Sequence, residues 1–277
     1  RLGVPVVYYI SPQLWAWRPG RMKTMRRIAD RVLVIFPFEE EIYRRADVPV
    51  EWVGHPLLDV SSEPRPRAEF LESLGLDPGR PLVAILPGSR INEVRAILPR
   101  LLDAATIIHG RLPAAQFVLA RAPHLGDELF SELARGGPAI TMVANATDDV
   151  LAAADVGLLA SGTVTVQAAL RECPMIVVYR LSPLTYRLGR RFVHVNTFAM
   201  ANLVAGRTVV PELEQDEFTP EAVAREALAL LENPERAATM RRELREVRAK
   251  LGEPGASRRA AEAVLAVARA GRAQRLG

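Results

Sequence analysis

The chain has 277 residues, 49% hydrophobic and 25% charged, the balance of a globular protein with one large or two ordinary cores. Its 36 lysines and arginines against 32 acids leave a net charge of +4, which suits phosphate-bearing ligands or an anionic membrane surface. One cysteine excludes an internal disulfide, and no apolar run reaches the ~18 residues of a membrane-spanning helix.

Residues 4–10 and 31–36 are short apolar runs rich in β-branched residues, the pattern of strands buried on both faces. A helical pattern follows each, from about Gly20 to Ala29 and from Pro37 to Ala46. Glu51-Trp52-Val53 reads as a third strand, ended by Gly54-His55-Pro56. Ser61, Ser62, Pro64 and Pro66 then mark a linker over 60–67. The alternation restarts with strands near 82–86, 116–120, 139–143, 156–160 and 175–179, separated by helices at 91–110, 124–135, 147–153 and 163–172 and followed by one at 183–191. This spacing predicts a parallel sheet with right-handed crossovers. Beyond Pro220 come three amphipathic helices, 221–231, 234–251 and 257–272. The expected plan is the end of one α/β domain (1–59), the linker, a complete α/β domain (68–213) and a helical segment (214–277). The sequence opens at Arg1 and is in a strand by Val4, so it reads as a fragment beginning in mid-fold.

Two tripeptides carry the functional signal. Gly88-Ser89-Arg90 lies between the 82–86 strand and the next helix, and Ser161-Gly162-Thr163 lies between the 156–160 strand and its helix. A small-residue turn feeding a helix leaves backbone N–H groups unpaired at the positive end of the helix dipole, a ready anion site. Two such turns at the carboxyl ends of strands in one open sheet would share a crevice, read here as a cradle for a nucleotide diphosphate. Arg90 is placed to add a guanidinium suited to phosphate, and Glu93 shares its helix face. The competing reading is a capped helix with Ser89 as N-cap and Glu93 near N3 or N4. In the second turn the hydroxyls of Ser161 and Thr163, with Thr165 and Gln167, add donors; the competing reading is an ordinary helix start.

Other positions are weaker. Asn202 sits in a mostly apolar segment and must either satisfy its four hydrogen-bonding positions or face a ligand. Trp15, Trp17, Arg18, Arg21 and Lys23 mix indoles with cations, as at an anionic-lipid interface or on a solvated helix face. His55 is either a cleft residue or a structural turn histidine, and Cys173, before an apolar run, reads as a buried thiol. Asp148 and Asp149 fit a helix first turn better than a metal pair, and with no ligand spacing elsewhere neither metal nor cofactor is expected. Neither a dinucleotide fingerprint nor a P-loop is present, and nucleic-acid binding has only the charge in its favour.

At these residues the sequence resembles the lipid-A-disaccharide synthase family. The resemblance is carried by Ser11-Pro12-Gln13-Leu14-Trp15-Ala16-Trp17-Arg18, by Val53 to Asp59, by Leu86-Pro87-Gly88-Ser89-Arg90 through Glu93-Val94, by Ser161-Gly162-Thr163, by Tyr179 to Pro183 and by Asn202 to Gly206. It implies a GT-B arrangement of two Rossmann-like domains, the first incomplete, with the C-terminal helices packing back on it. It also implies transfer from UDP-2,3-diacylglucosamine to 2,3-diacylglucosamine 1-phosphate (lipid X), releasing UDP and the lipid A disaccharide 1-phosphate. The enzyme implied is metal-free, peripheral on the cytoplasmic face of the inner membrane, binds no nucleic acid and admits a homodimer. Arg90, Glu93 and Asn202 match family positions tied to donor and active-site contacts, and Gln13, Arg18 and His55 become acceptor candidates. Gln167 departs from the family's usual Glu at a position expected to bind the donor ribose. The general base is expected in an amino-terminal segment absent here, so this piece is expected to be a donor half with little activity alone. Rival readings are a UDP-N-acetylglucosamine 2-epimerase, another UDP-sugar enzyme of this class, or a non-catalytic nucleotide-sugar-binding protein.

Overall fold

The computed structural model describes residues 4–11, 19–133, 137–180 and 197–276, which group into two compact units. The first unit holds the described residues up to 61 and from 249 onward, and the second holds those from 62 to 248.

In the first unit β1 (Val7–Tyr9), β2 (Arg31–Val34) and β3 (Val50–Trp52) pair in parallel, in that order. The central strand is buried on both faces, which is why it reads as an unbroken apolar run. Val32 and Val34 point to one side, into a cluster with Met22 and Met25 of α1 (Met22–Ile28) and Tyr43 of α2 (Pro37–Arg45). Leu33, one residue out of phase, packs on the opposite face with Val53, Ala260 and Ala263. A short turn of helix, α3 (Leu57–Val60), closes this part of the chain.

The second unit begins with α4 (Arg67–Ser73) and continues as β4 (Leu82–Leu86), α5 (Ile91–Arg111), β5 (Gln116–Arg121), α6 (Asp127–Leu133), β6 (Ile140–Ala144), α7 (Thr147–Ala153), β7 (Val156–Ala160), α8 (Thr163–Leu170) and β8 (Met175–Tyr179). After the described chain resumes come α9 (Met200–Ala205), β9 (Glu212–Glu214), α10 (Pro220–Leu231) and α11 (Pro234–Lys250). All six strands are parallel, in the order β6-β5-β4-β7-β8-β9. This is the doubly wound order, and it reverses direction between β4 and β7. Those two strands are buried along their whole length. The α/β class with parallel sheets is thus the one read from the sequence. The helix expected at 183–191 lies outside the described residues.

The C-terminal segment does not act as one piece. Helix α10 packs on α5, β7 and β8, and α11 is tied to the second unit by Arg245 on Glu172 (2.7 Å) and by Glu243 and Glu246 on Arg207. Only the last helix, α12 (Ala256–Leu276), joins the first unit, where Ala260 and Ala263 complete the core over Leu33. Its start is held by Asp59, whose carboxylate accepts the amide N–H groups of Gly255 and Ser257 (2.8 Å for Ser257). These bonds at a helix N-terminus hold the Asp59 carboxyl down at about 2. Arg259 donates to the carbonyls of Val53 (2.8 Å), Glu253 and Pro254. Gly54, at φ +84°, lets it pass: a β-carbon there would stand 2.7 Å from the guanidinium.

Candidate functional site

A cleft of about 350 Å³ opens in the second unit at the carboxyl ends of β4, β5 and β7. Its walls are Gly88, Ser89, Arg90 and Glu93 on one side and Ser161, Gly162, Thr163 and Gln167 on another, with the loop after β5 and Thr147 between. The two small-residue turns therefore meet at the point where the strand order reverses, the usual ligand crevice of an open α/β sheet.

The turns are built alike and satisfied differently. In the first, Gly88 takes φ +110°, and a β-carbon there would lie 2.5 Å from the Glu93 carboxylate. Glu93, the third residue of α5, reaches back to accept the Ser89 N–H (3.1 Å). The residue preceding α5 is Arg90 in extended conformation, so Ser89 is not the N-cap; Glu93 does the capping from within the helix. Arg90 stands 4.0 Å from Glu93 and its side chain is 85% exposed, so its guanidinium is open to a ligand.

In the second turn two hydroxyls offered as donors are already engaged. Ser161 Oγ donates to the Phe198 carbonyl (2.9 Å), and Thr165, fully buried, donates to the carbonyl of Gly162 (2.8 Å). The remaining donors are the Thr163 hydroxyl and the amides of Thr163 and Val164, which have no acceptor among the described residues, whereas the Thr165 amide donates to the Gly162 carbonyl (3.0 Å). A side chain at Gly162 would meet open space, so a ligand can approach this backbone closely. Gln167 lies one turn further along the cleft wall.

One residue at the site carries no sequence signal. His124, in the loop after β5, hydrogen-bonds through Nε2 to the Ser89 carbonyl (2.8 Å). Its partner is 35 residues away, so only the tertiary fold brings them together. The same loop is braced by Arg121, which donates to the Leu125 carbonyl (2.9 Å) and pairs with Asp127 (2.5 Å).

Several candidates fall elsewhere. Asn202 is buried and fully engaged: its amide donates to Val210 (2.9 Å) and Glu212 (2.5 Å), and its carbonyl accepts from the amides of Val209 (2.7 Å) and Val210 (2.9 Å). That is its whole hydrogen-bonding capacity, so it fixes the 209–212 segment rather than facing a ligand. His55 is 3% exposed, its ring against Phe36 and its Nδ1 accepting from Leu57; burial pulls it down to about 4, so it stays neutral. Such a ring is a core histidine of the first unit and not an exposed acceptor group. Asp148 and Asp149 pair with Arg171 (3.0 Å) and Arg65 (2.9 Å). Cys173 is buried and pushed up to about 12, an inert thiol. Arg21 and Lys23 are exposed at the start of α1, whereas Gln13, Trp15, Trp17 and Arg18 lie outside the described residues.

Comparison with known proteins agrees with this geometry. Residues 2–267 match the family model described as lipid-A-disaccharide synthetase. The chain is 44% identical over 266 residues to the lipid-A-disaccharide synthase of Geobacter metallireducens, covering 96% of this chain and 69% of that one. It is 46% identical over 272 residues to the synthase of Koribacter versatilis, covering 96% and 70%. Among solved structures, the UDP-GlcNAc 2-epimerase of Neisseria meningitidis bound to UDP-GlcNAc aligns with a TM-score of 0.62 at 14% identity, over 94% of this chain and 70% of that one. The Anabaena protein HepE in complex with UDP and glucose aligns at 0.52 and 13%, over 95% and 72%. At such identities the structures speak for the GT-B fold alone. The relatives speak for more: with a family model matched along nearly all its length, the chain belongs to the lipid-A-disaccharide synthase family, glycosyltransferases of lipid A biosynthesis.

Proposed function

We propose that the cleft holds the uridine diphosphate of UDP-2,3-diacylglucosamine and that its sugar passes to lipid X with inversion. The acceptor hydroxyl attacks the anomeric carbon and gives its proton to a general base, while the bond to the diphosphate oxygen breaks and its electron pair leaves with UDP. Arg90 and the amides at the start of α8 stabilise the charge that builds on that leaving group, a preorganised electrostatic role. The observation that carries this reading is the meeting of two small-residue turns at the reversal point between β4 and β7, with the Arg90 guanidinium open beside them. The 14%-identical Neisseria epimerase, bound to UDP-GlcNAc, is compatible with the same kind of ligand.

Membrane association belongs to the proposal as well. No helix among the described residues is long and apolar enough to cross a bilayer, and Arg21 and Lys23 are exposed cations on the stretch that also contains Trp15 and Trp17. Peripheral attachment to an anionic leaflet follows from that chemistry.

Calorimetric titration of the chain with UDP tests the site: saturable 1:1 binding is expected, and no binding would defeat the reading. In a full-length relative carrying this cleft, UDP release must depend on lipid X. Release without acceptor, or epimerisation of UDP-GlcNAc, would replace the transferase with the epimerase reading.

A further inference from the structure

We propose that His124 is a positioning residue for the diphosphate site, acting through the Ser89 peptide and not by touching the substrate; this rests on the cleft being the UDP site. Ser89 is flanked by two peptide planes, and each is pinned by a side chain. Glu93 accepts the Ser89 N–H (3.1 Å), which fixes the plane shared with Gly88. His124 donates Nε2–H to the Ser89 carbonyl (2.8 Å), which fixes the plane shared with Arg90. Because a peptide is rigid and trans, holding that carbonyl also sets the direction of the Arg90 N–H and the point from which the Arg90 side chain departs.

The turn needs such a pin. Gly88 at φ +110° sits where glycine alone moves freely, and among the described residues the Arg90 guanidinium comes only to within 4.0 Å of Glu93. His124 is itself held, since its loop is braced by Arg121 on the Leu125 carbonyl (2.9 Å) and on Asp127 (2.5 Å). Both His124 and Ser89 are exposed, so their hydrogen bond replaces bonds to water and adds little to folding. What it changes is the geometry of the turn. It joins the loop after β5, one wall of the cleft, to the turn after β4, another. The Nε2–H donor is present in the neutral tautomer that this bond selects and in the imidazolium alike.

The experiment compares wild type, His124→Ala and His124→Gln by calorimetric titration with UDP and by thermal melting. Gln places an amide N–H near the position of Nε2. The expected result is about a tenfold loss of UDP affinity in His124→Ala at an unchanged melting temperature, recovered to within about threefold by His124→Gln. Wild-type affinity in His124→Ala would overturn the proposal, and so would equal weakness of both variants or a loss that tracks a fall in melting temperature. A wild-type chain that fails to bind UDP would instead remove the site reading itself, so the two failures are distinguishable.

Discussion

The cleft at the tips of β4 and β7 and the interior around Asn202 belong to the same unit, and both are rich in polar groups, yet they use them in opposite ways. Around Asn202 every donor and acceptor of the side chain is matched by the chain itself. In the cleft, among the described residues, Arg90 is 85% exposed with Glu93 only at 4.0 Å, and the Thr163 and Val164 amides at the start of α8 have no acceptor. A polar residue in apolar surroundings is therefore not yet a site. What marks a site is hydrogen-bonding capacity that the fold leaves unmet at a place where a ligand can enter.

If that contrast is right, variants of the two regions should separate cleanly into losses of stability and losses of binding. The largest effect belongs to Asn202→Ala, which strands the Val209 and Val210 amides and the partner groups on Val210 and Glu212. Urea unfolding should show a loss of at least about 4 kcal/mol, at about 1–3 kcal/mol for each of the four groups left unsatisfied, while UDP affinity at low temperature stays within twofold. A variant that unfolds normally but fails to bind UDP would put Asn202 back in the site. Arg90→Ala should do the reverse, weakening UDP binding roughly 10–100-fold as charge-assisted bonds are lost, with melting unchanged. Equal stability and equal affinity would break the contrast from the other side.

His55 extends the comparison to the first unit. Its ring is held neutral at about 4 against an ordinary 6.5, so the unfolded chain takes up the proton first as pH falls. Its stabilising share is complete above pH 6.5 and is lost progressively towards pH 4, a loss of about 2 kcal/mol by pH 5. The difference between wild type and His55→Gln across that window checks it; parallel pH profiles would show the ring to be open to solvent. The smallest effect is expected for Glu93→Gln. Glutamine still accepts the Ser89 N–H but no longer repels a diphosphate, so UDP should bind roughly threefold more tightly. A loss of affinity would instead give Glu93 a direct contact with the ligand.

Much of this is legible in the sequence. The strands β4 and β7 read as unbroken apolar runs because parallel strands covered on both faces have no polar side, and the turns that follow them stood out for their small residues. Glu212-Leu213-Glu214 did not read as a strand, since β9 has three residues at the sheet edge and two are acids. In the cleft, the two turns, Arg90 and Gln167 were marked by local pattern. Ser161 and Thr165 looked like ligand donors because local sequence does not show that their hydroxyls close onto nearby carbonyls. Asn202 and His124 depend on partners 7 to 35 residues away, and no local pattern encodes such distances.

The cap that Asp59 places on the start of α12 bridges 198 residues of sequence to Ser257 and orders events during synthesis. The described part of the second unit lies entirely between 62 and 248, so it can condense on the ribosome as soon as that stretch has emerged. The sheet of the first unit, made earlier, stays uncovered over Leu33 until Ala260 and Ala263 arrive. That interval, set by translation speed, is when the exposed face is most open to chaperones or to mispairing.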